Sequence, residues 1–254
     1  MPKLSAVIIT KNEERNIGRC LDSLQDLADD LIVVDSGSTD KTETICIEKG
    51  ARFVFNEWAG YIEQKNFANG LAEHQFILSL DADEALSEKL RQSILSIKEN
   101  ITADAYEMNR LTNYCGKWIR HCGWYPDRKL RLFDRNKFEW GGERIHENLT
   151  PKAENVTIES LSGDIHHYSY YDISQHITQA NLFTNLTAEL AIEKGKRAGM
   201  LKILVNPMVK FCRDYFIKLG FLDGYYGYVV CRISAQATFM KYAKIRQMRK
   251  ARKA

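Results

Sequence analysis

Two hydrophobic patterns alternate along the first hundred residues. Leu4–Thr10 is a short apolar run rich in β-branched residues, and residues 13–27 then put Ile17, Leu21, Leu24 and Leu27 on one helical face. Residues 31–35 read as a second buried strand. Ser38, Thr39 and Asp40 offer N-caps for a helix over 42–49, which Gly50 ends. Arg52–Phe55 predicts a third strand, 61–74 a helix, 75–80 a fourth strand and 86–97 another helix. The strands are continuously apolar rather than alternating, the pattern of burial on both faces.

Strands alternating with helices predict an α/β class, with a mainly parallel, Rossmann-type sheet flanked by helices. From about residue 104 the pattern changes. Strands are expected over 105–113, 129–134, 156–161 and 165–168, joined by long polar and aromatic loops, as an antiparallel or mixed extension. From Ile173 the spacing is helical, over 173–194, 199–219 and 222–246. The division expected is therefore 1–170 as an α/β domain and 171–254 as a helical C-terminal segment.

Composition changes this picture at one place. Residues 241–254 hold Lys241, Lys244, Arg246, Arg249, Lys250, Arg252 and Lys253 and no acid; without them 29 basic residues face 33 acidic ones. A mildly acidic body carries a strongly basic tail, which suits an anionic membrane surface or simply a solvated helix end. The acidic body argues against nucleic acid. The six cysteines form no C-x-x-C pair, and the N-terminus shows no basic region before a long apolar one, so a reduced, cytoplasmic setting is expected. The stretch 211–240 is broken by Arg213, Asp214, Lys218, Asp223 and Arg232, too many charges for a membrane span.

Several motifs sit where chemistry is expected. Ligands of open α/β sheets bind beyond the carboxyl ends of the strands, and Val34-Asp35-Ser36-Gly37-Ser38-Thr39-Asp40 leaves such an end. Asp35 there can accept from a base or ribose, whereas Asp40 reads better as a cap. Asp81-Ala82-Asp83-Glu84 follows the fourth strand. Three acids in four residues call for a cation or a salt-bridge network, and hard oxygen ligands suit Mg2+ or Mn2+ bridging phosphates; D-x-D also occurs in phosphatases and calcium loops. Gln64-Lys65-Asn66, taken alone, reads as surface. Glu139-Trp140-Gly141-Gly142-Glu143-Arg144-Ile145-His146-Glu147 reads as a loop drawn close to a ligand, with Glu147 as a general base and His146 orienting it or touching phosphate; Glu143 and Asp127 are the other acids open to the base role. The aromatic stretch 118–125, with Trp124 and Tyr125, reads equally as a sugar-stacking wall or as ordinary packing.

Thr10-Lys11-Asn12-Glu13, then Val34 to Asp40, then Gln64-Lys65-Asn66-Phe67-Ala68, then Asp81-Ala82-Asp83-Glu84 occur in an order that resembles the family 2 inverting glycosyltransferases of GT-A type. Arg131-Leu132-Phe133 and Arg144-Ile145-His146-Glu147 look like the bacterial branch related to lipopolysaccharide-core β-glucosyltransferases. The likeness covers about 1–150 well and 175–254 more loosely. It implies that Thr10, Asn12 and Glu13 line the nucleotide pocket, that Asp35 takes the uracil or ribose, and that Lys65 reaches the nucleotide. Asp81 would meet the ribose or metal, and Asp83 would ligate Mg2+ or Mn2+. Glu147 would be the base, and Trp124, Tyr125, Arg144 and His146 would meet the acceptor. The sequence departs from the pattern at Lys65, where arginine is usual, and at Glu84, where aspartate is usual.

The implied reaction is transfer of a hexose, glucose as first choice, from a UDP-sugar to a cell-envelope glycan or lipid-linked glycan. Tyr225, Tyr226, Tyr228, Phe239 and the basic tail would hold the enzyme at the inner face of the plasma membrane. The competing readings are a sugar-phosphate nucleotidyltransferase, which would want more glycine over residues 10–18, and a non-catalytic nucleotide-sugar binder.

Overall fold

In a computed structural model the chain is described at residues 2–143 and 146–251. It divides into two compact units, one of residues 1–110 with 127–168, the other of 111–126 with 169–254.

The first unit is built on β1 (Leu4–Thr10), β2 (Asp30–Asp35), β3 (Arg52–Phe55) and β4 (Phe76–Asp81), all parallel, in the order β3-β2-β1-β4. Helix α1 (Ile17–Leu24) links β1 to β2, α2 (Thr42–Glu48) links β2 to β3, and α3 (Tyr61–Leu71) returns to β4 on the far side of β1. Alternate residues of the strands feed the two faces. Ile8 and Val33 pack with Ile17, Leu21, Leu24 and Cys46 of α1 and α2. Val7, Ile32 and Val34 pack with Ala68 of α3 and with Ala72 just beyond it. Burial on both sides explains why these strands read as unbroken apolar runs. The strand order reverses between β1 and β4, so a crevice is expected beyond their carboxyl ends.

The sheet continues through β8 (Arg128–Asp134), β6 (Ala105–Tyr114), β11 (Ile158–Tyr170) and the short β5 (Glu84–Leu86), as the antiparallel pairings β4–β8, β8–β6 and β11–β5 show. Ser87 caps α4 (Glu88–Glu99), accepting from Leu90 N. Where two strands are expected over 156–168, one long strand runs through. Gly163, at φ 105°, lets it pass the start of α4, because a Cβ there would come 2.3 Å from Leu90 N. A separate hairpin, β9 (Phe138–Glu143) with β10 (His146–Pro151), stands where a loop is expected.

The second unit joins the end of β6, paired with β7 (Lys117–Ile119), to the helices α5 (Ile173–Glu193), α6 (Met200–Cys212) and α7 (Gly224–Ala251). Tyr114, Ile119 and Cys122 pack on Val230 and Cys231. The helix expected over about 199–219 runs as α6 and then directly as a π-helical turn over Arg213–Ile217, and a 3-10 turn over Gly220–Asp223 follows. Among the described residues no helix is long and apolar enough to cross a membrane.

Candidate active site

The carboxyl ends of β1, β2 and β4 bring together Thr10, Asp35 and Asp81. Thr10 is buried, and its hydroxyl finds no partner among the described residues, an unsatisfied group of the kind a ligand completes. Asn12, at φ 54°, ties the turn after β1 to the turn after β2: its N–H donates to Ser38 Oγ at 2.7 Å and its Oδ1 accepts from Thr39 N at 2.8 Å. Asp35 Oδ2 accepts from Gly37 N and Ser38 N, both at 2.7 Å, and Oδ1 accepts from Ser38 Oγ. Asp35 therefore shapes the turn, and its carboxylate is already well supplied with donors. Asp40 accepts from Thr42 N at 3.0 Å, at the start of α2.

At the end of β4 the three acids divide. Asp81 Oδ1 lies 2.9 Å from Lys65 Nζ and Oδ2 lies 2.9 Å from Arg131. Burial would raise its carboxyl, but these two cations outweigh that and hold it well below the usual carboxylate range. Glu84 is buried; its Oε2 accepts from Asp81 N at 3.0 Å, and its Oε1 meets Arg131 at 3.0 Å and Arg110 at 3.3 Å. Asp83 turns elsewhere, its Oδ2 lying 3.1 Å from His167 Nε2. The predicted salt-bridge network is present for Asp81 and Glu84, while Asp83 pairs with an imidazole.

Gln64 and Lys65 overturn the surface expectation. Both are buried, Lys65 to 1% exposure, because α3 packs under the sheet and under β9. Asn66 pins that hairpin, donating to Trp140 O at 2.8 Å and accepting from Trp140 N at 3.0 Å. The Trp140 ring covers the Lys65 ammonium at 4.4 Å. On β10, Glu147 Oε1 lies 3.5 Å from the same ammonium. One buried lysine thus touches the carboxylate at the end of β4 and the acid expected to act as base. The glycines Gly141 and Gly142 lie within β9 rather than in a loop, and Gly142 faces Glu147 across the hairpin.

Glu13 follows β1. Burial pushes its carboxyl up to about 7; a hydrogen bond from Asn16 opposes the shift, and the nearby Asp83 and Asp40 add to it. Among the described residues no three metal-ligating side chains converge. A carboxylate and an imidazole in contact still fit a divalent ion that takes its remaining ligands from substrate phosphates.

The sequence model of "Glycosyl transferase family 2" matches residues 5–148, the span that carries every group just described except His167. The chain belongs to this family. It is an enzyme, a glycosyltransferase. It is similar over 98% of its length to an uncharacterized glycosyltransferase of Rickettsia typhi, at 31% identity and over 88% of that protein. It is 32% identical to the lipopolysaccharide core biosynthesis glycosyltransferase LpsC of Rhizobium meliloti, over 97% of this chain and 94% of that one. Glucosyl-3-phosphoglycerate synthase of Mycobacterium tuberculosis, solved with Mn2+, uridine diphosphate and glucosyl-3-phosphoglycerate, matches 44% of either chain at 26% identity and a TM-score of 0.37, a likeness too loose to bear on the site.

The other residues expected in the site of this glycosyltransferase have partners of their own. Asp127 is held by Arg110 at 2.9 Å and Lys129 at 3.0 Å. Trp124 and Tyr125 belong to the second unit, where Trp124 packs edge-on to Tyr114 and His176. Arg144 and the side chains of Glu143 and His146 lie outside the described residues. The sequence reading places Arg131 in a motif of the resemblance without giving it a role, and it misses Arg110 and His167. A charged residue inside the apolar run 130–133 is a further sign for Arg131.

Proposed function

We propose that this glycosyltransferase moves a hexose, glucose as first choice, from a UDP-sugar to a lipopolysaccharide-core or other cell-envelope glycan, with inversion. The observation that carries the reading is the Lys65 ammonium, shared by Asp81 and Glu147. It fixes the proposed base relative to the end of β4, where the nucleotide is expected. The near full-length similarity to LpsC supports the acceptor class.

In this scheme Thr10 and Asp35 border the base and ribose, and Asp81, held as a carboxylate by Lys65 and Arg131, meets the ribose. Glu147 takes the proton of an acceptor hydroxyl as its oxygen bonds to C1 of the sugar. The C1–oxygen bond to the diphosphate breaks on the opposite face, and UDP leaves with the electron pair. Both Asp81 oxygens already face cations, so Asp83 with His167 would hold Mg2+ or Mn2+. The ion, when bound, would offset the charge that develops on the diphosphate. The Trp140 ring covers the Lys65 ammonium on one side.

UDP release from a panel of UDP-sugars, with and without Mn2+ or Mg2+, tests this. Slow metal-dependent hydrolysis of one donor, lost in Asp83→Ala, is expected. Absence of both release and metal-dependent UDP binding would overturn the metal-dependent use of a UDP-sugar.

A further inference from the structure

Helix α6 carries its apolar stripe on the wrong side for a core helix. Leu201, Leu204, Val205, Met208 and Val209 follow the i, i+3, i+4, i+7, i+8 spacing of an amphipathic face, yet all are exposed, Leu201 by 75% and Met208 by 68%. Ile203 is the residue of this helix that is buried. The apolar surface continues past the helix, with Ile217 76% exposed and Phe216, Phe221 and Leu222 also open. Soluble proteins rarely leave a patch of this kind uncovered.

The charge around the patch selects what covers it. Between residues 194 and 222 there are seven basic residues and one acid, Asp214. That acid is buried and already paired with Lys210 at 2.6 Å and Arg213 at 3.0 Å. Lys202 and Lys218 are exposed beside the patch. An apolar stripe flanked by cations, with no exposed acid between residues 194 and 222, is complementary to an anionic lipid surface, into which such a helix sinks to the acyl boundary. A helix of 13 residues spans about 20 Å, enough to lie along that boundary and too short to cross it.

The basic tail is a weaker candidate for this role. Lys244 donates to Asn181 Oδ1 and Thr184 Oγ1, both at 2.7 Å, and Arg249 donates to the carbonyls of Gly195 and Lys196 at 3.4 Å, so part of its charge holds α5 to α7. Tyr226 is likewise turned inward onto Tyr114.

We infer that the outward face of α6 and the turns that follow it docks this enzyme on an anionic bilayer surface. The test is co-sedimentation of the full chain with phosphatidylcholine vesicles, with and without 30% phosphatidylglycerol, roughly the anionic content that gives such a surface its potential. The wild type is expected to bind the anionic vesicles and to leave them as salt rises. Leu201→Glu with Met208→Glu should lower the bound fraction roughly tenfold, and Lys202→Ala with Lys218→Ala should lower it on anionic vesicles. Arg246→Ala with Lys250→Ala should keep most binding. Leu201→Ser with Met208→Ser repeats the first test should the acidic pair fail to fold, with far-ultraviolet circular dichroism as the check. Equal binding by wild type and the folded α6 variants, or no wild-type binding, overturns the inference. So does a wild-type dimer that the α6 variants split while no form binds vesicles, which would make the face a contact between copies. Vesicle binding is read without turnover, so its failure leaves the catalytic reading standing.

Discussion

The Lys65 ammonium lies 2.9 Å from Asp81 Oδ1, and the lysine is 99% removed from solvent while the aspartate is partly open to it. A buried cation survives at such a place because its charge is answered from more than one side. Lys65→Met removes that cation and leaves Asp81 to Arg131 alone. About 2 kcal/mol of stability should be lost by chemical denaturation, at the low end for a buried pair because Asp81 keeps water. UDP affinity should fall in parallel, read by calorimetry.

Glu147→Gln keeps the shape of β10 and removes the proposed proton acceptor. Turnover should fall by about 10²- to 10⁴-fold while UDP binding stays within a factor of about two. Equal turnover in the variant would move the base role away from Glu147.

The Asp83–His167 contact gives a second separation. Chelation should abolish turnover reversibly, and His167→Ala should raise the Mn2+ concentration needed for half-maximal rate by about tenfold or more. The apparent stability in chelator should barely change. An unaltered metal requirement in this variant would remove His167 from the site.

Glu13 has a pH signature. Its folded carboxyl titrates at about 7, above the unfolded value of 4.5, so the folded state holds the proton more tightly. The stability this contributes is complete below pH 4.5 and is lost as pH rises through 7. In chelator, the wild type should therefore lose thermal stability relative to Glu13→Gln between pH 5 and pH 8, by a few degrees in Tm. A constant difference across that range would contradict the raised titration.

Gly163→Ala tests the packing of β11 on α4. The backbone there has φ 105°, and the added Cβ would come 2.3 Å from Leu90 N, a backbone atom that cannot swing aside. A loss of about 3 kcal/mol is expected in denaturant unfolding. Gly195→Ala, also at positive φ but with open space around the added carbon, should cost clearly less.

Much of the first unit was legible because its signals are local. The apolar runs of β1 to β4 and the helical spacing of α1 depend on neighbours within a few residues, and the ends of those strands already mark Thr10, Asp35 and Asp81. Charge signals were less readable. Lys65 reads as surface on its own segment, and what buries it is Glu147, 82 positions along the chain, together with Trp140. The β9–β10 hairpin was missed because its glycines carry turn character in sequence, whereas the structure uses Gly142 at φ 108° inside a strand.

The sequence by itself determined the α/β class, the order of the strand-end motifs and the family, because side-chain periodicity and motif order are properties of the chain read in line. The tertiary structure alone decided how the acids are shared out. Asp81 and Glu84 are neutralised by Lys65, Arg131 and Arg110, and Asp83 is left to His167. It also decided that the stripe of α6 points outward. Those outcomes depend on which distant charge or surface arrives within a few ångströms, and spacing along the chain does not contain that distance.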